Sequence, residues 1–147
     1  MAAVETPATT LTVLSVSRQP EDHLALVNAL SATDSPLSPD LRWEVESTAT
    51  VDSAMSLLQK SDIPVVLCER ELGLDDWKTL LDRLPQLDRP PFLIVGARSA
   101  DNSLWAEALN LGAYDVLAKP LEPSEVMRTL HLAWLRWQQV HTAAHSC

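Results

Sequence analysis

The sequence predicts an α/β fold in which a parallel sheet carries helices on both faces. Three observations lead there. Short apolar runs alternate with stretches of helical spacing five times along the chain. Two of the runs, residues 64–68 (Pro-Val-Val-Leu-Cys) and 91–95 (Pro-Phe-Leu-Ile-Val), are apolar without interruption, as strands buried on both faces are. The segments between these units are short, as β-α connections in compact domains are. Right-handed crossovers then leave few topologies open.

The elements follow in order. Residues 1–10 are small and polar and read as a flexible N-terminal segment. Residues 11–17 form a β-rich run. Residues 20–30 place Leu24, Val27 and Leu30 at helical spacing, and Pro20 suits a first turn. Pro36 and Pro39 mark a loop over 31–40. Residues 41–46 alternate Leu41, Trp43 and Val45 with Arg42, Glu44 and Glu46, the pattern of a half-buried strand. Thr50 can cap a helix over 51–60, with Ala54, Leu57 and Leu58 inward. A helix over 76–84 stops at Pro85. Another, 99–111, carries Leu104, Trp105, Ala108 and Leu109 on one side and ends at Gly112. Residues 114–117 make a short strand, and a last helix opens at Glu122-Pro123 and reaches Val140. The domain thus spans 11–140, with 141–147 as a tail. Ligands of doubly wound sheets bind beyond the carboxyl ends of the strands. That rule singles out Ser17, Arg18, Glu69, Gly96, Ala97 and Lys119.

Composition narrows the function. The chain has 147 residues, one domain's worth, with 46% apolar and 21% charged residues. A net charge of −9 argues against nucleic acid and against an anionic membrane surface. No apolar run is long enough to cross a bilayer and no signal peptide opens the chain, so a cytoplasmic location is expected. Cys68 and Cys147 suggest neither a disulfide framework nor a zinc site. With three glycines, a phosphate-cradling P-loop is excluded. No Ser/His/Asp or Cys/His set is present, so no catalytic residues are assigned and an enzyme is not expected. His141 and His145 are one helical turn apart but fall in the tail, and no metal site is assigned.

Residues 112–120, Gly-Ala-Tyr-Asp-Val-Leu-Ala-Lys-Pro, are similar to the G-A-x-D-[YF]-[LI]-x-K-P of response-regulator receiver domains. Pro20 fits the same family. Residues 69–77, Glu-Arg-Glu-Leu-Gly-Leu-Asp-Asp-Trp, lie over its D-x-x-[ML]-P-x-x-[DS]-G, matching at Leu72 and Asp76 but not at Glu69, Gly73 or Trp77. The resemblance covers about residues 11–137. It implies a CheY-like, flavodoxin-like sheet of five parallel strands in the order 2-1-3-4-5 with five helices, and a role in two-component phosphorelay signalling.

In such receivers an acidic pair holds Mg²⁺, an aspartate accepts the phosphoryl group, a Ser/Thr and a lysine sense it, and an aromatic reorients. Carried over, the acidic pair falls on Ser17 and Arg18, the acceptor on Glu69, the Ser/Thr on Gly96, the lysine on Lys119 and the aromatic on Val116. Only the lysine is retained. Mg²⁺ wants hard oxygens in an octahedral shell, and phosphoryl transfer needs the metal's charge. The expectation is a degenerate receiver with weak or absent Mg²⁺ binding and no cofactor, acting by protein–protein binding. Glu69 is either a built-in phosphate mimic or one half of a structural ion pair with Lys119, to which Arg18 could add a second contact. Asp75 and Asp76 lie near enough in sequence to be weighed as substitute acceptors.

Trp134 and Trp137 lie three residues apart on the last helix, and Leu132 and Leu135 lie on a different side of it. So broad an apolar surface exceeds one buried stripe. Leu132 and Leu135, with Trp105 or Trp137, are the expected interface to a homodimer or to a protein partner such as a histidine kinase. Trp77 is expected either to cover the pocket or to pack on its loop. The alternatives are a phosphorylatable receiver and a small α/β enzyme that shares only the fold. The chain stops soon after the last helix, which favours a receiver without an output domain.

Overall fold

The computed structural model describes residues 9–32, 41–73, 75–98 and 102–145. Five parallel strands form one sheet: β1 (Thr9–Val16), β2 (Leu41–Thr48), β3 (Val65–Glu69), β4 (Phe92–Ala97) and β5 (Asp115–Ala118), in the order β2-β1-β3-β4-β5. Five helices alternate with them: α1 (Pro20–Ser31), α2 (Val51–Lys60), α3 (Trp77–Arg83), α4 (Asn102–Leu111) and α5 (Pro123–His145). This is the predicted doubly wound, flavodoxin-like sheet. A two-residue antiparallel ribbon, Glu71–Leu72 with Asp75–Asp76, stands between β3 and α3.

The sheet divides the core because neighbouring residues of a strand point to opposite faces. Leu14, Val16, Val66, Cys68, Leu93, Val95 and Val116 pack with residues of α2, α3 and α4. Val13, Val65, Leu67, Ile94 and Leu117 pack with Leu26 and Ala29 of α1 and with Val126, Leu130 and Ala133 of α5. Continuous apolar runs in β3 and β4 therefore serve both layers. Strand β2 lies at an edge, and its alternation reflects one half-buried face (Trp43, Val45) and one exposed face (Arg42, Glu44, Glu46).

Two helix starts follow from identifiable caps. Thr50 accepts the Ser53 N–H at 3.1 Å, and Asp76 accepts those of Lys78 and Thr79 at 2.9 and 3.3 Å. Gly112 has φ +108°, the left-handed conformation that lets the chain leave α4. Among the expected inner residues of α1, Leu24 and Val27 are 59% and 42% exposed. Leu26 and Ala29 are buried and Leu30 packs partly against them. The Leu-Ala-Leu-Val pattern is apolar enough to be read in two rotations about the helix axis, and packing on the sheet selects the other one. On α4, likewise, Leu104 and Ala108 are buried while Trp105 and Leu109 are exposed.

The last helix does not stop at Val140 but continues to His145. His141, assigned to a tail by sequence, is buried, and its ring meets Trp137 edge-on at 4.6 Å. Thr9 and Thr10 already belong to β1, paired with Leu41 and Arg42. The rest of the expected flexible N-terminal segment, residues 1–8, lies outside the described residues, as does most of the expected loop over 31–40.

Candidate functional site

Parallel strands end together, and their carboxyl ends bring distant residues into one place. Ser17 follows β1, Glu69 closes β3, Gly96 lies near the end of β4 and Lys119 follows β5. Backbone pairing fixes their heights: Glu69 is in register with Gly96, and the Lys119 N–H bonds to the Ala97 carbonyl at 3.0 Å. The Lys119–Pro120 peptide bond is cis.

The centre of the site is the Lys119 ammonium. It bonds Glu69 Oε1 at 2.5 Å and also bonds Asp22 Oδ1. Asp22 lies in the first turn of α1, which Pro20 opens directly after β1. Ser17 Oγ donates to Asp22 Oδ2 at 2.6 Å and accepts the Gln19 N–H at 3.0 Å, so both roles of that buried hydroxyl are in use. The Lys119 side chain is only 9% exposed, and both carboxylates are mostly buried. His23 supports the same corner, with Nδ1 2.8 Å from Ser15 Oγ and Nε2 3.1 Å from the Ser17 carbonyl.

The two carboxylates differ electrostatically. Burial pushes the Glu69 carboxyl above its ordinary value, and the bond and charge of Lys119 do not fully offset it. Burial would raise Asp22 too, but hydrogen bonds from Lys119 and Ser17, with the charges of Lys119 and Arg98, bring it below its usual range.

Gly96 is matched to this arrangement. A Cβ there would come within 2.6 Å of Glu69 Oε2, so the glycine makes room for the second carboxylate oxygen. Gly73 plays a similar part for Arg18. It sits at φ +79°, and a Cβ would lie 2.1 Å from Arg18 Nη1. Arg18 thus lies over the Gly73 loop. Among the described residues it makes no ion pair, and the expected contact of Arg18 with Glu69 is not formed. A cavity of about 740 Å³ opens over these groups, lined by Ser17, Arg18, Asp22, Glu69, Gly96 and the guanidinium-bearing Arg70 and Arg98, among others.

Of the residues singled out by sequence, Ser17, Arg18, Glu69 and Gly96 share this cavity, and Lys119 joins them beneath its floor through Glu69. Val116 is buried in the sheet core. Trp77 is also buried in the core and does not line the cavity, so it is neither a cover nor a loop residue. Trp105, Leu132 and Leu135 are exposed. Trp137 is not: it is 8% exposed, its indole N–H donates to the Pro90 carbonyl at 3.1 Å, and Arg89 stacks on its ring at 4.7 Å. It ties α5 to the start of β4 and is removed from the expected interface. Asp75 belongs to the short ribbon, and Asp76 caps α3. Sequence reasoning missed Asp22, Arg70 and Arg98. The signal for Asp22 was available: an acidic residue in the first turn of a helix that starts right after a strand faces the strand ends.

The response regulator receiver domain family matches residues 21–131, and the chain belongs to that family, whose members are signalling domains. Solved structures agree on the fold. A signal receiver domain from Vibrio parahaemolyticus superposes with a TM-score of 0.76 at 16% identity, covering 92% of this chain and 98% of its own. The receiver domain of an HD domain-containing protein from Pseudomonas fluorescens Pf-5 gives 0.72 at 23% identity, covering 89% and 99%. A CheY-like receiver domain protein from Methanospirillum hungatei gives 0.71 at 17% identity, covering 89% and 98%. A search of curated protein sequences finds no match. Among the described residues no helix is long and apolar enough to cross a membrane.

Proposed function

We propose that this chain is a degenerate receiver that signals by binding a protein partner, without accepting a phosphoryl group. The observation that carries this reading is the Lys119 ammonium, bonded at once to Glu69 and Asp22. An internal cation thus holds the carboxylate at the acceptor position and the neighbouring acid of α1, while the positions of the acidic pair offer no carboxylate. In this reading Glu69 stands at the acceptor position, Ser17 and Arg18 at the acidic pair, Gly96 at the Ser/Thr and Val116 at the switch aromatic.

The residues at hand do not suit Mg²⁺. Ser17 has spent its hydroxyl on Asp22 and Gln19, and Arg18 brings a fixed positive charge to the mouth. An octahedral ion needs several free hard oxygens, whereas an oxygen of each carboxylate is taken by Lys119. Without a metal, the charge of a transferring phosphoryl group goes uncompensated. The buried Val116 has no ring to swing. The Glu69–Lys119 pair supports a structural role and is equally the contact a phosphate mimic would make.

Exposed Leu132 and Leu135 on α5, and Trp105 on α4, supply apolar area for a partner, which can be a kinase, another signalling protein or a second copy. Incubation with acetyl phosphate and Mg²⁺, followed by intact-mass measurement, tests the reading. The unmodified mass is expected, and a stoichiometric acid-labile adduct would sink it.

A further inference from the structure

We propose that the free edge of β2 pairs antiparallel with the same edge of a second copy, about a two-fold axis at Trp43, so that the two sheets join into one. This surface is separate from the exposed apolar groups of α4 and α5, and the pairing does not depend on the chemistry of Glu69.

The edge is long and open. Strand β2 pairs with β1 over all 8 of its residues, and its other side meets no strand among the described residues. The Thr48 carbonyl accepts the Ser17 N–H at 3.0 Å, so Thr48 turns its backbone groups toward β1. Neighbouring residues of a strand turn theirs to opposite sides. The N–H and C=O groups of Leu41, Trp43 and Val45 therefore point outward, the template on which another strand can pair. Trp43 Nε1 is buried and has no hydrogen-bond partner among the described residues, although an indole N–H usually finds one.

The residues of this edge suit their own copy. Charge on an edge strand ordinarily keeps an identical strand away, but here the exposed Arg42 and Glu44 carry opposite signs on one face. With the axis at Trp43, Arg42 of each copy lies opposite Glu44 of the other, in pairs that are not hydrogen-bonded and whose side chains come closest. On the other face Leu41 meets Val45 and Trp43 meets Trp43, while outward backbone groups make about six hydrogen bonds. Moving the axis one residue either way sets Arg42 against Arg42 or Glu44 against Glu44, so charge selects the register. Helix α1 extends the contact. Successive helical residues turn by about 100°. Ala25 lines a groove with Pro120 and Leu121, and Leu26 packs toward the sheet, so Val27 lies on the flank turned to the β2 edge, with Leu24 beside it. Both are exposed. Because α1 packs on β1 and β2 alike, strand spacing sets the two α1 axes about 10 Å apart, a distance at which helices pack.

Sedimentation of the full chain from about 10 µM to about 1 mM tests the proposal, a range chosen because small interfaces are weak. A concentration-dependent dimer is expected. Glu44→Arg should raise its dissociation constant by about tenfold or more, and adding Arg42→Glu to that variant should restore it. Both positions are exposed, and an unchanged circular dichroism spectrum verifies that each variant folds. Amide exchange at Leu41, Trp43 and Val45 should slow as protein concentration rises, whereas Arg42 and Glu44, whose N–H groups face β1, should exchange alike at every concentration. The proposal is overturned by a chain that stays monomeric at about 1 mM, by a dimer that ignores Glu44→Arg or is not restored by the second change, or by exchange that does not vary with concentration. A dimer dissociated by Leu132→Ser with Leu135→Ser would equally overturn it, since that result places the contact on α5.

Discussion

Lys119 holds one ammonium between two carboxylates that respond to pH in opposite senses. Asp22 has its folded pKa lowered, so its contribution to stability is present above the unfolded value and fades as pH falls through the folded one. Glu69 has its folded pKa raised by burial, so its contribution is full below the unfolded value and is lost as pH rises through the folded one. Urea unfolding across the carboxylate range should therefore separate them. Glu69→Gln is expected within about 1 kcal/mol of wild type at neutral pH, with the comparison shifting in favour of the variant as pH rises. Asp22→Asn should cost about 1–2 kcal/mol at neutral pH, and the cost should fade in acid.

Gly96 gives a second residue-scale prediction. Gly96→Ser puts a Cβ where Glu69 Oε2 lies, and should destabilise by about 1–2 kcal/mol. Shortening the acid in Glu69→Asp should recover much of that loss, a coupling of about 1 kcal/mol in a double-mutant cycle. Additive losses would contradict the account. At this scale the positions of Glu69, Ser17, Gly96 and Lys119 were legible, because each follows a recognisable strand. Asp22 was missed although its place in the first turn of α1 was a signal, and the contact offered to Arg18 with Glu69 is not formed because the arginine lies against the Gly73 loop.

Helix faces are where sequence and structure part at the scale of elements. Leu24 and Leu26 are the same residue type two positions apart on α1, yet one is exposed and the other buried. Leu26→Ala should cost about 3 kcal/mol, while Leu24→Ser should stay within about 0.5 kcal/mol. Equal losses would mean that the helix is rotated. The strands were more legible than the helices, since β4 and β3 up to Cys68 are apolar without interruption and either rotation of such a run is buried. Capping by Thr50 and the stop at Gly112 were legible because each depends on one residue's local chemistry. The extent of α5 was not. Its last turns are held by tertiary contacts of Trp137 and His141 with Pro90, which no local pattern reveals.

For the molecule as a whole, the order β2-β1-β3-β4-β5 followed from the five-fold alternation and from the resemblance at residues 112–120. What the family resemblance left open is whether the site still carries phosphoryl chemistry. The apolar groups on α5 make the question of partners accessible too. If Leu132 and Leu135 join two copies, sedimentation should show a dimer that Leu132→Ser with Leu135→Ser dissociates. A monomer at tens of micromolar would leave that surface to a different protein.

The central claim is that this site, with Ser17 and Arg18 at the positions of the acidic pair and with Glu69 and Asp22 bonded to Lys119, holds no divalent metal. Titration of Mn²⁺ into the ¹⁵N-labelled protein tests it most directly, because a paramagnetic ion broadens every amide near its site. The account predicts no selective, saturable and Mg²⁺-reversible broadening at Ser17, Glu69, Arg70 or Gly96. Broadening confined to those residues and reversed by Mg²⁺ would show a working metal site and contradict it.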